Sequence, residues 1–291
     1  MIPSGLLPVR AAGAHKGDFG RVFLLAGSRE LSGAAALCTT GALRVGAGLV
    51  TLGLPKSLHA PMVEKLTEAM FKVLPETKDG TLNPQALPEI VSTVERMDAV
   101  GIGPGLSQHP QTKDLIRQLL PKIMKPLVLD ADGLNALAED LGILKQRLLP
   151  MIVTPHPGEM GRLIRQSADD VQRDRERTAV EFAKLYKAIV VLKGHGTVVA
   201  SFDGSVYINE TGNPGMASGG FGDVLTGMIA GLLGQKLSLF DAARLGVYLH
   251  GLAGDLAANA QGEVGLLASD LAARIPEAIR QYQQLKGENR L

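Results

Sequence analysis

The sequence predicts an α/β fold of three layers, in which a mostly parallel central sheet lies between two layers of helices. Short apolar segments, typical of buried strands, alternate with helical segments along most of the 291 residues. Such alternation indicates parallel strands, because each crossover between them needs a connection of helix length. Glycine, proline and polar residues follow directly after five of the apolar segments. Since the carboxyl ends of parallel strands share one edge of the sheet, we expect a ligand site there.

The strands are predicted from runs rich in valine, isoleucine and leucine that end at turn-forming residues. They lie at 21–25, 48–54, 69–74, 98–103, 126–130, 151–154, 188–193, 197–201 and 205–209. Helices are predicted from apolar residues at helical spacing, and they lie at 32–45, 111–120, 132–139, 158–165, 169–186, 224–233, 239–260 and 269–285. No repeat, low-complexity run or linker interrupts this order. We therefore expect a single domain over residues 1–291.

Composition excludes several functional classes. The formal net charge is +1, which gives no electrostatic reason to expect nucleic acid or a membrane surface as a partner. The one cysteine, Cys38, excludes an internal disulfide and a cysteine-based zinc site. No uncharged apolar run approaches the roughly 18 residues of a membrane span. Charged residues interrupt the N-terminal segment, which is unlike a signal peptide, so we expect a cytoplasmic protein.

One stretch, Asn209–Gly231, carries most of the functional signal. Five glycines and one proline lie between positions 212 and 222, too many for the interior of a helix or strand. Apolar residues at helical spacing follow Asp223. Backbone N–H groups of such a loop, together with the positive end of the helix dipole, bind anions such as phosphate.

Asp223 has two interpretations. Alone, an aspartate at this position is more often a helix cap. However, a carboxylate beside a phosphate-binding loop repels the ligand unless it accepts a proton from a reacting hydroxyl. The combined sequence Gly219–Asp223 therefore favours a catalytic base. The loop is not a Walker motif, because no lysine lies between positions 209 and 235.

Two further strand ends leave alternatives open. The sequence Gly101–Gly105 is not a dinucleotide fingerprint, because Leu106 stands where the third glycine belongs. It is either a glycine-rich strand exit or a place where the backbone approaches a ligand. Asp130 and Asp132 are suitable ligands for Mg²⁺. Asp132 is equally a candidate cap for the following helix.

His156, between two prolines, is either a structural donor or a ligand contact at a strand exit. Glu159 begins the next predicted helix. Lys193, in the sequence Lys193–Thr197, is either a point charge for phosphate or a solvated residue of a turn. We expect one cleft that is lined by Gly105, His156, Lys193 and Gly222.

Two of these sequences resemble a known family. Gly219–Asp223 resembles the anion hole and base of the ribokinase-like superfamily, and Gly212–Gly220 resembles more closely the ADP- or ATP-dependent NAD(P)H-hydrate dehydratases. The resemblance extends from about position 17 to position 267 and implies a three-layer ribokinase-like fold. Sugar kinases of the superfamily carry N-x-x-E where this chain has His156–Glu159, which favours the dehydratase family.

The resemblance also implies roles for single residues. Asp223 is the catalytic base, and the further assignments follow. The substrate contacts are Ala34, Gly105, His156 and Asp223; the nucleotide contacts are Lys193, Gly194, His195, Gly196, Thr197 and Gly222; the anion hole is Gly219, Gly220, Phe221 and Gly222; and the metal ligands, partly through water, are Glu159 and Asp130.

The implied activity restores NADH or NADPH from the S-epimer of its hydrated form. Transfer of phosphate from ADP, the expected nucleotide, or ATP to the C6 hydroxyl with Mg²⁺ precedes loss of phosphate. The family further implies a homotetramer and an epimerase, here expected as a separate protein. Two rivals remain: a ribokinase-like kinase of a vitamin precursor or sugar, and a nucleotide-sensing protein without turnover. The residues do not distinguish NADH hydrate from NADPH hydrate.

Overall fold

The computed structural model describes residues 2, 3 and 5–288. Its nine strands form one sheet. They are β1 (Arg21–Leu25), β2 (Leu49–Pro55), β3 (Met70–Leu74), β4 (Ala99–Ile102), β5 (Leu127–Leu129), β6 (Ile152–Val153), β7 (Ile189–Leu192), β8 (Val198–Ala200) and β9 (Val206–Ile208). Their order is β3-β2-β1-β4-β5-β6-β7-β8-β9. The first seven are parallel, and β8 and β9 form an antiparallel hairpin at one edge.

Helices connect these strands and cover both faces of the sheet. They are α1 (Ser32–Arg44), α2 (His59–Lys65), α3 (Leu87–Val94), α4 (Pro110–Leu119), α5 (Ala131–Asn135), α6 (Gly142–Gln146), α7 (Pro157–Ile164), α8 (Ala168–Arg173), α9 (Arg175–Tyr186), α10 (Phe221–Gly234), α11 (Leu239–Gln261) and α12 (Ala268–Glu288). The sequence did not predict α2, α3 or α6. The prediction of one helix over 169–186 is wrong, because Asp174 has non-helical φ and ψ angles of −145° and 71° and its side chain caps α9.

The core has two parts, one on each face of the sheet. Within β1, Val22 and Leu24 face the layer that contains α1 and α10–α12, whereas Phe23 and Leu25 face the layer that contains α3–α9. Side chains of a strand point alternately to its two faces, so a strand buried on both faces is apolar throughout. The predicted three-layer arrangement is confirmed. No helix in the described part of the chain is long and apolar enough to span a membrane.

Glycines bring α1 and α10 into direct backbone contact. A Cβ atom at Gly41 of α1 would lie 2.3 Å from the carbonyl oxygen of Val224, and one at Gly227 of α10 would lie 1.8 Å from that of Cys38. Nearly every residue of α10 after its first turn is buried. This packing fixes the helix against the sheet and places its first turn at the carboxyl ends of the central strands.

We expect Gly227→Ala to destabilise the protein. Alanine raises helix propensity by about 1 kcal/mol over glycine, but overpacking against Cys38 should outweigh that gain and leave a net loss of about 1–3 kcal/mol. Gly33→Ala is the matched control, because no atom lies within 4 Å of a Cβ at that exposed position of α1. Urea denaturation of both variants measures the free energies of unfolding. A Gly227→Ala variant as stable as the Gly33→Ala variant would contradict the close contact.

Candidate active site

The strand ends singled out in the sequence meet at one edge of the sheet. The segments that follow neighbouring strands remain joined to one another by backbone hydrogen bonds. The N–H of Gly27 donates to the carbonyl of Pro104 at 2.8 Å, and the N–H of Lys193 donates to that of Pro155 at 2.9 Å. The exits of β1, β4, β5, β6 and β7 therefore form one continuous rim, as expected for parallel strands.

A largely buried ion pair, in which only the lysine side chain is partly exposed (19%), occupies the centre of this rim. Asp130, which is 1% exposed, follows β5, and its Oδ1 accepts a hydrogen bond from Lys193 Nζ at 2.7 Å. Its Oδ2 accepts one from Thr226 Oγ1 of α10, also at 2.7 Å. The alternative of a solvated lysine is therefore wrong. Burial alone would lower the pKa of Lys193, but the charges of Asp130 and Glu159 outweigh burial and raise it, so the side chain stays a cation.

Asp223 is the third residue of α10, and it is not the cap. The N-cap is Gly220, whose φ of 97° lies in the left-handed region that favours glycine. Burial, followed by the negative charge of Asp130, raises the pKa of Asp223 to about 7, against the opposing effect of Lys193. A carboxyl group with this pKa exchanges a proton readily at neutral pH.

The backbone of the glycine-rich turn lies beside the ion pair. A Cβ atom at Gly222 would lie 3.4 Å from Lys193 Nζ and 3.9 Å from Asp130 Oδ2. A Cβ at Gly219 would meet no atom within 4 Å, so that side of the turn is open. The first-turn N–H groups of α10 therefore start next to a buried cation, which is a favourable environment for phosphate oxygens.

His250 of α11, which the sequence did not single out, supports this turn. Its Nε2 lies 2.9 Å from the carbonyl oxygen of Phe221, so this nitrogen carries a proton and donates. Burial lowers the pKa of His250 to about 4, which keeps the ring neutral. The bonded carbonyl belongs to the peptide that also contains the N–H of Gly222. His250 lies in a regular helix, 29 residues from Phe221, so the local sequence gives no signal of this contact.

His156 is the N-cap of α7, and its ring accepts hydrogen bonds there, whereas the structural alternative in the sequence analysis was a donor. Its Nδ1 accepts hydrogen bonds from the N–H groups of Gly158 at 3.0 Å and Glu159 at 3.3 Å, while Glu159 Oε2 accepts from the N–H of His156 at 2.8 Å. The two residues thus form a capping box. Burial lowers the pKa of His156, which favours a neutral ring. The side chain is 51% exposed, and its Nε2 lies 3.6 Å from Glu159 Oε1, beyond hydrogen-bond distance, so Nε2 still has a hydrogen bond to offer a ligand.

The remaining predicted residues lie on the two flanks of the ion pair. Asp132 is not the cap of α5, because Asp130 holds that position. Its Oδ2 instead accepts from the N–H of Ser107 at 2.9 Å. On the same flank, a Cβ at Gly105 would lie 2.8 Å from Cβ of Ala34. On the other flank, the sequence 194–197 forms the turn between β7 and β8.

Comparison with known proteins identifies the family. A model of the NAD(P)H-hydrate dehydratase family matches residues 22–277. The chain belongs to that family. It is 48% identical over 278 residues to a bifunctional NAD(P)H-hydrate repair enzyme of Moorella thermoacetica, a match that covers 96% of this chain and 52% of that protein. The chain thus spans about half the length of the curated relatives it matches.

Solved structures of dehydratases and their relatives share the fold. An ADP/ATP-dependent NAD(P)H-hydrate dehydratase of Bacillus subtilis, co-crystallized with ATP/Mg²⁺, superimposes with a TM-score of 0.82 at 34% identity over 95% of each chain. A ribokinase-like superfamily protein of Enterococcus faecalis gives a TM-score of 0.78 at 27% identity and covers 94% of this chain and 91% of that one. The resemblance read from the motifs and the ribokinase-like fold are confirmed.

The carboxylates around this cleft fit a cation that is held mainly by a ligand. Asp130, Asp132, Glu159 and Asp223 act electrostatically on one another or on Lys193, which leaves an excess of negative charge. Yet no three His, Cys, Asp or Glu side chains in the described residues could hold a metal ion by themselves. This combination suits Mg²⁺, which uses one or two carboxylates together with water and phosphate oxygens. Glu159 fits better than Asp130, because Lys193 and Thr226 already occupy both oxygens of Asp130.

We expect Asp223→Asn to stabilise the fold, and the gain to grow with pH. The pKa of Asp223 is about 7 in the folded chain, against about 3.9 for an unperturbed aspartate. Between these values the folded state keeps a proton that the unfolded state has released. The free energy of unfolding of the parent therefore falls as pH rises from about 4 to about 7, whereas a neutral asparagine removes this dependence.

Urea denaturation of parent and variant at about pH 5 and about pH 8 measures the effect. Asp114→Asn, at an exposed position of α4, is the matched control for the loss of one carboxylate. A difference between Asp223→Asn and the parent that stays the same at both pH values would show that Asp223 ionises normally.

Proposed function

We propose that this chain catalyses the nucleotide-dependent dehydration of the S-epimer of hydrated NADH or NADPH. ADP is the expected nucleotide, and NAD(P)H, AMP and phosphate are the products. The observation that carries the proposal is Asp223, whose pKa is raised to about 7 at the start of a helix beside the buried cation Lys193. The names of the Moorella and Bacillus proteins support the substrate and the nucleotide.

In the first step, Asp223 takes the proton of the C6 hydroxyl of the hydrated ring. That oxygen attacks the terminal phosphorus of the nucleotide, a new P–O bond forms, and the bond from this phosphorus to the bridging oxygen breaks. AMP leaves when ADP is the donor. The N–H groups of Gly219–Gly222 and the dipole of α10 stabilise the charge on the transferring phosphoryl group.

In the second step, the C6–O bond breaks and its electron pair leaves with the phosphate. Water takes a proton from C5, the electron pair of that C–H bond forms the second C5–C6 bond, and the double bond of NAD(P)H is restored. No electrons are transferred overall, because the hydrated ring already has the oxidation level of the product plus water. Phosphorylation thus turns a poor leaving group into a good one.

Charge balance accounts for the remaining parts of the site. Lys193 contributes a positive charge beside Gly222. Bound Mg²⁺ would neutralise phosphate charge, with Glu159 and, less directly, Asp130 as its protein ligands through water. We assign Ala34, Gly105 and His156 to the substrate.

The nucleotide contacts are proposed from the flank beside β7. They comprise Lys193, the turn residues Gly194, His195, Gly196 and Thr197, and Gly222 of α10. The single domain over 1–291 is retained as a proposal, with residues 1, 4 and 289–291 outside the described part. The cytoplasmic location, the homotetramer and the separate epimerase stay predictions.

One assay separates the proposed function from its rivals. The protein is incubated with hydrated NADH, ADP and Mg²⁺ while the absorbance of the dihydronicotinamide ring is followed. A dehydratase restores the absorbance and releases phosphate. A small-molecule kinase leaves it unchanged and keeps phosphate on its product, whereas a nucleotide sensor binds ADP without consuming it. Unchanged absorbance with both ADP and ATP would overturn the proposal.

We expect Asp223→Asn to lower kcat on hydrated NADH by a general-base factor of about 10²–10⁴. Asparagine keeps the shape of the side chain but cannot take the proton. ADP affinity should hold or rise, because a negative charge beside the phosphates is removed. For the parent, kcat/KM should rise with pH around the pKa of Asp223, about 7. A variant with unimpaired kcat would remove Asp223 from the mechanism.

We expect His156→Ala to weaken binding of the hydrate more than binding of ADP. Alanine also removes the cap of α7, which contributes about 0.5–2 kcal/mol to stability. His156→Asn separates the two effects, because asparagine caps a helix well but lacks the imidazole Nε2 edge. Calorimetric titrations should show weakened hydrate binding in both variants, and thermal melts should show a lower Tm in the alanine variant alone. Normal hydrate affinity in the asparagine variant would restrict His156 to its capping role.

A further inference from the structure

Arg175 is the first residue of α9, and its side chain contacts the turn between β7 and β8. Its guanidinium donates to three backbone carbonyls, two in this turn and one at the end of β7. Nη1 bonds the carbonyl of His195, and Nη2 bonds those of Gly196 at 2.7 Å and Leu192 at 3.3 Å. A Cβ atom at Gly194 would lie 3.2 Å from Cζ of Arg175, so the glycine permits the close approach.

These hydrogen bonds determine which way the N–H groups of the turn point. In a trans peptide, the carbonyl and the following N–H point in opposite directions. Because the carbonyls of His195 and Gly196 face the guanidinium, the N–H groups of Gly196 and Thr197 face away from it. The carbonyl of Gly194 is also bonded, to Thr197 Oγ1 at 2.9 Å. A turn whose carbonyls are bonded on one side and whose N–H groups face the other side presents those donors to an anion.

Charge strengthens the same arrangement. Burial lowers the pKa of Arg175, but an arginine side chain remains a cation at neutral pH. Its Nε is buried and has no hydrogen-bond partner within the part of the chain that the structure describes. An unpaired buried donor destabilises a fold, so stability alone does not account for an arginine here. Its position fits a binding role for the turn above it.

We propose that Arg175 is a positioning residue for the nucleotide, which holds the turn Gly194–Thr197 so that its N–H groups meet the phosphates. The inference rests on the proposed function in naming ADP or ATP as the ligand. The Arg175 side chain lies on the carbonyl side of the turn, opposite the N–H groups. It therefore affects nucleotide binding through the backbone of the turn.

Calorimetric titration with ADP and Mg²⁺ tests the role, in the parent and in three variants. Arg175→Met removes the charge and all three hydrogen bonds, and Arg175→Lys keeps the charge without the planar fork. Arg177→Met is the matched control. Arg177 lies two residues further along α9, is exposed and pairs only with Glu181 in the described residues. We expect Arg175→Met to raise the Kd of ADP by about 10- to 100-fold, from the loss of charge-assisted hydrogen bonds.

Arg175→Lys should give a smaller increase, and Arg177→Met should bind ADP like the parent. At saturating ADP, the KM for hydrated NADH should stay within about twofold of the parent in all variants, because the turn is assigned to the nucleotide and not to the hydrate, and kcat should stay at the parent value in Arg177→Met. Equal weakening of ADP and hydrate binding would show a general structural role and overturn the proposal. So would unchanged ADP affinity in Arg175→Met or, if that variant does not fold, in Arg175→Lys.

The parent separates this inference from the proposed function. If the parent binds ADP but does not turn over hydrated NADH, the dehydratase function is overturned and the Arg175 test remains valid. If the parent turns over the hydrate while Arg175→Met binds ADP normally, only the inference about Arg175 is overturned.

Discussion

The ion pair between Lys193 and Asp130 is the interaction on which the rest of the site depends. It joins the exits of β5 and β7 across 63 residues of sequence, and the hydrogen bond from Thr226 to Asp130 adds α10 to the same point. A buried pair stabilises a fold only when its geometry is good and its remaining lone pairs are bonded. On the carboxylate side both conditions hold, since each oxygen of Asp130 has a donor at 2.7 Å. The pair therefore holds α10, which carries Asp223, in place relative to the sheet.

The same pair also contributes to the electrostatics of Asp223, the proposed base. Burial is the main reason that the pKa of Asp223 is raised, Asp130 adds to it, and Lys193 opposes it. The balance leaves the carboxyl group of Asp223 able to gain or lose a proton at neutral pH. A free aspartate in water is too acidic to take up a proton at that pH. Because carboxylates outnumber cations around the cleft, a nucleotide is expected to bind together with Mg²⁺ rather than alone.

The fold was predictable because apolar periodicity reports burial directly, and a strand buried on both faces leaves an unmistakable run such as Ile189–Leu192. The break at Asp174 was missed because the apolar spacing continues across it. The capping role of His156 was also missed, since histidine is not among the usual caps. Its spacing to Glu159 is nevertheless that of a capping box and was a usable signal. The roles of Thr226 and Arg175 were not predictable, because Thr226 acts across 96 residues from inside a helix and Arg175 acts across 17 to 21 residues from the start of one.

Burial shifts the pKa values of two side chains near the start of α10, Asp223 and His250, in opposite directions. Burial favours the neutral form of every ionisable side chain, so it raises the pKa of Asp223 to about 7 and lowers that of His250 to about 4. When Asp223 ionises near neutral pH, His250 is already neutral and does not change charge. Its hydrogen bond to the carbonyl of Phe221 therefore persists while Asp223 gains or loses its proton. Since hydrogen bonds in a chain polarise one another, this bond also favours donation by the N–H of Gly222. The first turn of α10 thus keeps one geometry while the carboxyl group within it changes charge, as the proposed transfer of phosphate and protons in the same turn of helix requires.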